Sequence, residues 1–260
     1  MIGAIIGDIA GSFYEFQNCK SKEIKIFHDE ADFTDDSVLS IALADSIMND
    51  VSYVENLKKY YRDYPDRGYG GHFHMWAQNI ESFPYNSWGN GSAMRTSPVG
   101  WAYNSMEEVM KKAREYASVT HNHPEGIKGA QSVSACIFLA RNGSTKDEIK
   151  SFVESIFGYD LSRSIDEIRH DYSFDVSCQG SVPQAIRAFY DSTGFEDSIR
   201  CAISIGGDSD TIAAITGSIS EAFYSGEIPR DMIEKALEFL DYHLIKVTVD
   251  FITEYCGYKI

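Results

Sequence analysis

The feature that most constrains this chain is one hydrophobic period repeated almost from end to end. Val38, Leu39, Ile41, Ala42, Asp45 and Met48 follow i, i+3, i+4 spacing with one polar intrusion. Val109, Ala113, Tyr116 and Ala117 repeat the pattern. Thr145-Lys146-Asp147-Glu148 reads as a capping box before Ile149, Phe152, Val153 and Ile156, with a stop at Gly158. Pro124 and Pro183 each stand where a first helical residue is expected. Ile199, Ala202 and Ile203 mark another short helix, and two more are expected around Asp231–Leu240 and His243–Tyr255. Thr211 to Tyr224 is mostly apolar and rich in small residues (Ala213, Ala214, Gly217, Ser218), which predicts a central helix packed on several sides. Only Glu23-Ile24-Lys25-Ile26-Phe27 alternates, predicting a short hairpin arm. Regular strand–helix alternation is absent, which argues against a doubly wound sheet. With no repeat and no linker, the expectation is a compact all-α fold forming a single domain over residues 1–260. Its longest loop region is predicted from about Tyr60 to Ser105, where Gly, Pro, Asn and aromatics concentrate.

Charge narrows the partners. With 23 basic and 39 acidic residues the chain carries a formal charge of −16. That balance argues against extended nucleic-acid binding and against an anionic membrane surface. It leaves room for a small anion at a local site. The apolar runs, such as Ala135 to Ala140, are too short to span a bilayer, and Met1 to Asp8 lacks the basic start of a signal peptide. Five scattered cysteines without a CxxC pair give no zinc or thioredoxin signal and point to the cytoplasm.

Three segments place carboxylates at or just inside a helix: Gly7-Asp8 to Glu15, Thr34-Asp35-Asp36-Ser37, and Gly206-Gly207-Asp208-Ser209-Asp210-Thr211. Each alone suits ordinary N-capping. The second and third carry more oxygen donors than a cap needs. The Gly206-Gly207 pair permits a sharp turn on which Asp208 and Asp210 converge. Carboxylate and threonine oxygens are hard donors that suit Mg²⁺ or Mn²⁺, and two clusters with Glu15 are enough for two ions. Asp208-Ser209-Asp210-Thr211 partly matches the haloacid-dehalogenase nucleophile motif, with its threonine one position early and too little chain following. His121-Asn122-His123 spells a nuclease motif without the surrounding ββα-metal unit.

Taken in order, Gly7-Asp8…Glu15, Thr34-Asp35-Asp36-Ser37, Gly89-Asn90-Gly91-Ser92-Ala93-Met94-Arg95, Ser118-Val119-Thr120-His121 and Gly206 to Thr211 resemble the ADP-ribosylglycohydrolase family over nearly the whole chain. The resemblance implies an all-α fold around a binuclear Mg²⁺ cleft, with Mn²⁺ as the other ion used. It implies Thr34, Asp35, Asp36, Asp208, Asp210 and Thr211 as metal ligands. Glu15, with Asp35 and Asp36, would supply the catalytic carboxylates, Glu15 activating water or relaying a proton. Gly89, Asn90, Gly91 and Ser92 read as a phosphate loop within this set and as an ordinary turn without it. Gly70 and Gly71, inside Arg67 to Trp76, are implied to approach the ribose. His72 and His74 read as polar lining or surface rather than a metal pair. His121 suits either a ligand contact or a satisfied core histidine, and Trp88, Tyr85 and Phe83 are adenine-platform candidates. Arg95 is left between a phosphate and an acidic neighbour.

The implied activity is a cytoplasmic, monomeric Mg²⁺-dependent hydrolase that removes ADP-ribose from a modified protein or small molecule, ADP-ribosylarginine favoured. The alternatives are another linkage (serine, nucleic acid, O-acetyl-ADP-ribose) or a catalytically silent binding or structural member of the same fold. A complete set of ligand-type residues favours the enzyme.

Overall fold

The computed structural model describes residues 1–224, 227–258 and 260. Among them are fifteen α-helices: α1 (Ile2–Ser12), α2 (Asp35–Asn49), α3 (Tyr53–Asp63), α4 (Gly71–Gln78), α5 (Gly91–Met94), α6 (Ser97–Ala102), α7 (Met106–Ala117), α8 (Pro124–Arg141), α9 (Lys146–Phe157), α10 (Ile165–Asp171), α11 (Cys178–Asp191), α12 (Phe195–Ile203), α13 (Ser209–Phe223), α14 (Arg230–Leu237) and α15 (Tyr242–Phe251). The last runs into a π-helical turn, Ile252–Cys256. The only paired extended backbone among the described residues is one isolated bridge between Gly89 and Ser177.

The small-residue segment forms α13, and every residue from Ser209 to Ala222 is buried. Helices α1, α8, α11 and α12 pack around it. Of these, α1 comes so close that no side chain fits between the backbones. A Cβ at Gly3 would stand 2.2 Å from the Gly217 carbonyl oxygen, one at Gly7 2.0 Å from that of Ala213, and one at Gly11 2.4 Å from that of Ser209. Glycines four apart on one helix thus face small residues four apart on the other. An interior helical glycine costs about 1 kcal/mol in propensity; here it permits the contact that sets Asp8 on α1 opposite Asp210 on α13. The second acid of α13, Glu221, is satisfied inside the core by the Met1 ammonium, the Gly3 amide at 2.8 Å and the Tyr258 hydroxyl.

Local signals account for many boundaries. Thr145 and Glu148 close the capping box of α9, and Gly158 ends it in the left-handed region at φ 65°. Pro124 is the first residue of α8. Pro183 instead lies inside α11, which starts five residues earlier under a Ser177 cap. The proline removes only the N–H that would bond to Gln179, one turn from the helix start.

Glu23–Phe27 is not a hairpin arm. The carbonyls of Lys22, just before it, and of Ile24 accept from the Arg200 guanidinium at 3.1 and 2.9 Å, and that of Lys25 accepts from the Tyr14 hydroxyl at 2.9 Å. Side chains take the place of a partner strand, and the alternation records one-sided burial. The Tyr60–Ser105 region is not one long loop, since the end of α3 and all of α4, α5 and α6 lie within it. Asp8 is no helix entrance either: α1 begins at Ile2, and Asp8 falls in its second half. No described helix is long and apolar enough to cross a membrane.

Candidate active site

Three elements bring the acidic segments together. Thr34 caps α2, its Oγ1 accepting from Asp36 N at 3.2 Å. Asp8 reaches across from α1 and takes Thr34 N at 2.9 Å, Thr34 Oγ1 at 2.6 Å, Ser37 N at 3.1 Å and the Ser37 hydroxyl. Its oxygens are therefore committed to anchoring the start of α2. At the other entrance, Gly206 and Gly207 both adopt positive φ (76° and 74°), producing the expected sharp turn. Asp208 stands at the N-cap of α13 without capping it. It accepts instead from Asn90 Nδ2 at 2.6 Å, which ties the glycine loop to the acidic cluster.

The result is two overlapping carboxylate triads. Asp8, Asp36 and Asp210 form one; Glu15, Asp208 and Asp210 form the other; in each the oxygens lie within 4.8 Å of one another. Asp210 belongs to both. Asp35 belongs to neither and lines the cleft beside Gly68. Thr211 Oγ1 donates to Asp36 Oδ2 at 3.1 Å, while Asp36 Oδ1 is buried without a partner among the described residues. Such a concentration of like charge is unfavourable. Burial first, and then Asp210 and its neighbours, hold Asp35 and Asp36 well above the usual carboxylate range; burial and Asp208 do the same to Asp210. Asp208 is pushed up to about 6, chiefly by burial. Glu15 rises to about 8 through burial and then the charges of Asp210 and Asp8.

Glu15, Asp36, Asp208 and Asp210 line a cleft of about 430 Å³, and Asp8 is buried outside its lining. The glycine loop lines the same cleft next to Asp208. There the amides of Asn90, Ala93 and Met94 are committed to carbonyls of Val176 and Asn90, at 2.8 to 3.0 Å. Gly91 and Ser92 N–H are the uncommitted donors of that loop among the described residues. A Cβ at Gly91 would lie 3.2 Å from His121 Nε2, so the ring packs close over the glycine. Gly70, Gly71, His72 and Tyr85 also line the cleft.

A family-level sequence profile described as ADP-ribosylglycohydrolase matches residues 1–257. The chain belongs to the ADP-ribosylglycohydrolase family. It is 25% identical to the ADP-ribosylhydrolase ARH3 of Mus musculus, covering 87% of this chain and 83% of that one. It is 24% identical to the ADP-ribosylarginine hydrolase Tri1 of Pseudomonas putida, over 90% of this chain and 72% of that protein. A solved structure titled ADP-ribosylglycohydrolase-related protein complex superposes with a TM-score of 0.70 at 20% identity, covering 97% and 96% of the two chains. This ADP-ribosylglycohydrolase is thus a glycosidase of ADP-ribose linkages on an all-α fold.

The donors present in this ADP-ribosylglycohydrolase fit a hard divalent cation. They are oxygens only, the Asp36 Oδ1 lone pairs are buried and unused, and the triads repel themselves in the absence of positive charge. Of the expected ligands, Thr34, Asp35, Asp36, Asp208, Asp210 and Thr211 all line the cleft.

Other site residues lie elsewhere than the sequence suggested. Ser92 is buried outside the cleft lining, and its hydroxyl donates to Gly126 O at 2.7 Å. The Trp88 side chain is half-exposed and outside the cleft lining, and Phe83 is further out still. His72 and His74 stand on helix α4, not a loop. His72 faces the cleft, while His74 points outward and bonds the Tyr61 hydroxyl at 2.6 Å. Arg95 lines the cleft: its Nη2 donates to Thr120 Oγ1 at 2.6 Å, which lies 2.7 Å from His121 Nδ1, and its Nη1 is buried without a hydrogen-bond partner among the described residues. Burial and the Arg95 charge keep His121 neutral, well below the ordinary histidine range.

Sequence reading missed the anchoring role of Asp8, although its alignment with Gly7 and Gly11 on one helix was visible. It also missed Lys20. The Lys20 ammonium donates to Tyr172 O at 2.7 Å and Ile205 O at 2.5 Å, holding the 172–176 segment against the Gly206 turn. No local sequence signal announces that contact.

Proposed function

We propose that this chain is a divalent-metal-dependent hydrolase that splits the bond between the distal ribose of ADP-ribose and its acceptor, acting on an ADP-ribosylated protein or small molecule. The observation that carries this reading is the pair of triads sharing Asp210 beside a cleft that the glycine loop also lines, joined to them by the Asn90–Asp208 hydrogen bond. A shared carboxylate suits two adjacent ions, and all-oxygen donors suit Mg²⁺, with Mn²⁺ the closest substitute. Asp36, Asp208, Asp210, Thr34, Thr211 and Asp35 would hold them. Bound there, the ions would supply orientation of the ribose diol and polarisation of water.

The protein's own residues account for the rest. The Gly91 amide is placed to receive a diphosphate, with His121 beside it. Trp88, exposed beyond that loop, is offered as the adenine platform, with Gly70 and Gly71 flanking the sugar. Glu15 is the least buried carboxyl of the triads, which suits it to exchange protons with incoming water. Cleavage at C1″ passes through an oxocarbenium-like state that the surrounding carboxylates stabilise. Glu15 takes the proton of the attacking water and returns it to the departing acceptor atom. Asp35 and Asp36 act as the fixed negative charge of the floor.

Among acceptors, the guanidine of ADP-ribosylarginine is favoured. Tri1, named for that linkage, aligns over 90% of this chain. ARH3 relatives align at similar identity, so identity alone does not separate the linkages. The test is release of free ADP-ribose from arginine-, serine- and acetyl-linked substrates by purified protein, with Mg²⁺ and with EDTA. Release from at least one, abolished by EDTA, supports the reading. Metal-loaded protein that releases none, or release that survives EDTA, overturns it.

A further inference from the structure

The rim next to Glu15 carries two aromatic rings that neither the fold nor the diphosphate loop uses. Phe16 follows Glu15 directly and is 81% exposed; Phe174, from the segment preceding α11, is 49% exposed. Both line the cleft. Their ring centroids stand 6.4 Å apart with planes inclined by only 18°. A ring left this open to solvent is not buried against its neighbour's face. Their mutual stacking leaves most of the apolar surface of both rings open to the cleft, where a flat ligand group can cover it.

The wall holding Phe174 is rigid. Lys20 bonds the Tyr172 and Ile205 carbonyls. A Cβ at Gly207 would lie 2.7 Å from the Tyr172 ring and 3.3 Å from Phe174 Cα, so the Phe174 segment packs directly on the turn that presents Asp208. Phe174 is therefore tied to the turn that presents Asp208, while Phe16, 81% exposed, is free to move by the small amount a ligand would need. Phe16 follows Glu15 directly, and Phe174 lies two residues before Val176, whose carbonyl accepts from Asn90 N, so the pair spans from the carboxyl assigned to proton transfer to the segment that backs the glycine loop.

We propose that Phe16 and Phe174 form a slot for a planar cation, the guanidinium of an ADP-ribosylated arginine, and so set the acceptor preference of the enzyme. This rests on the hydrolase reading above and adds the acceptor side to it. Three observations converge. A flat group between two rings needs about 3.5 Å on each face, so these rings must part by only roughly half an ångström. Aromatic faces attract guanidinium specifically. Glu15 adjoins one ring and Asp208 the turn beneath the other, while Arg95, the one arginine lining the cleft, is engaged by Thr120. A serine or acetyl linkage presents neither a plane nor a charge to such a slot.

The experiment compares kcat/KM for ADP-ribosylated arginine with kcat/KM for a serine-linked ADP-ribosyl peptide, in Mg²⁺, for wild type, Phe16→Ala, Phe174→Ala and Phe16→Trp. Each alanine variant is expected to lower the arginine-to-serine ratio about tenfold, and Phe16→Trp to keep it within about twofold. Affinity for free ADP-ribose, measured by calorimetry, should shift less than twofold, because the product lacks the acceptor. An unchanged ratio, or an equal loss on both substrates accompanied by weaker ADP-ribose binding, overturns the slot. A wild type that cleaves only the serine linkage overturns the slot and leaves the hydrolase reading standing. A wild type that cleaves neither removes the hydrolase reading, and the slot with it.

Discussion

Replacing Asp210 with asparagine should make the metal-free protein more stable while abolishing its response to divalent cations. Asp210 is buried and shared by both triads, with neighbouring carboxylate oxygens inside 4.8 Å. Two ionised groups at that distance repel by about 3.5 kcal/mol at an effective dielectric of about 20. Partial proton uptake relieves some of this, leaving about 2 kcal/mol, or about 4–8 °C in Tm for a chain of this size. Asparagine keeps the acceptor that bonds Thr211 N at 2.9 Å, so the helix entrance survives the change.

The pH dependence follows from the same groups. Asp208 at about 6 and Glu15 at about 8 lie above their ordinary values of 3.8 and 4.5. The native state then binds more protons than the unfolded state, so metal-free stability falls as pH rises from about 4 through about 8. That decline should be shallower in Asp210→Asn. The assay is thermal unfolding across pH 5 to 8.5, with EDTA and with saturating Mg²⁺. Wild type should gain about 3 kcal/mol from metal at a hundredfold excess over Kd, and the variant close to none. A metal-free Asp210→Asn less stable than wild type at pH 8, or a variant with an undiminished metal response, refutes the reasoning.

Two further substitutions probe different parts of the account. Gly7→Ala places a methyl group 2.0 Å from the Ala213 carbonyl oxygen, in a contact pinned on either side by Gly3 and Gly11. It should cost about 3 kcal/mol by overpacking and weaken cation affinity as α1 and α13 part, read by chemical denaturation and metal titration. Glu15→Gln should lower turnover by about a hundredfold or more while keeping metal-induced stabilisation. Wild-type turnover in that variant would move the proton-transfer role elsewhere.

What the sequence disclosed was what short stretches encode by themselves. Thr34-Asp35-Asp36 and Gly206 to Thr211 carry both their donors and their turn geometry within six residues, so ligand type and local shape were readable together. The Thr145 capping box was readable for the same reason. Pro183 was misplaced because one residue near a helix start cannot reveal where the cap lies; the Ser177 cap six residues before it decides that. Glu23–Phe27 was misread because one-sided burial produces alternation whether the carbonyls meet a strand or, as here, Arg200. Asp8 anchoring Thr34 and Ser37, Lys20 bridging Tyr172 and Ile205, and Phe16 facing Phe174 join residues 26 to 185 positions apart. Such pairings exist only once the helices are packed. The glycine ladder of Gly3, Gly7 and Gly11 is the exception, since its spacing was in the sequence although its partner helix was not.

The central claim is that the shared-carboxylate cleft hydrolyses an ADP-ribosyl linkage only when charged with divalent metal. Its most direct test is to strip the purified protein with EDTA, remove the chelator, and follow free ADP-ribose released from ADP-ribosylated arginine as Mg²⁺ is added back. Release should be at background without metal and should rise and saturate with Mg²⁺, over the same range in which Tm rises. Full release by the stripped protein, or saturating metal binding with no release from any ADP-ribosyl linkage, would contradict it.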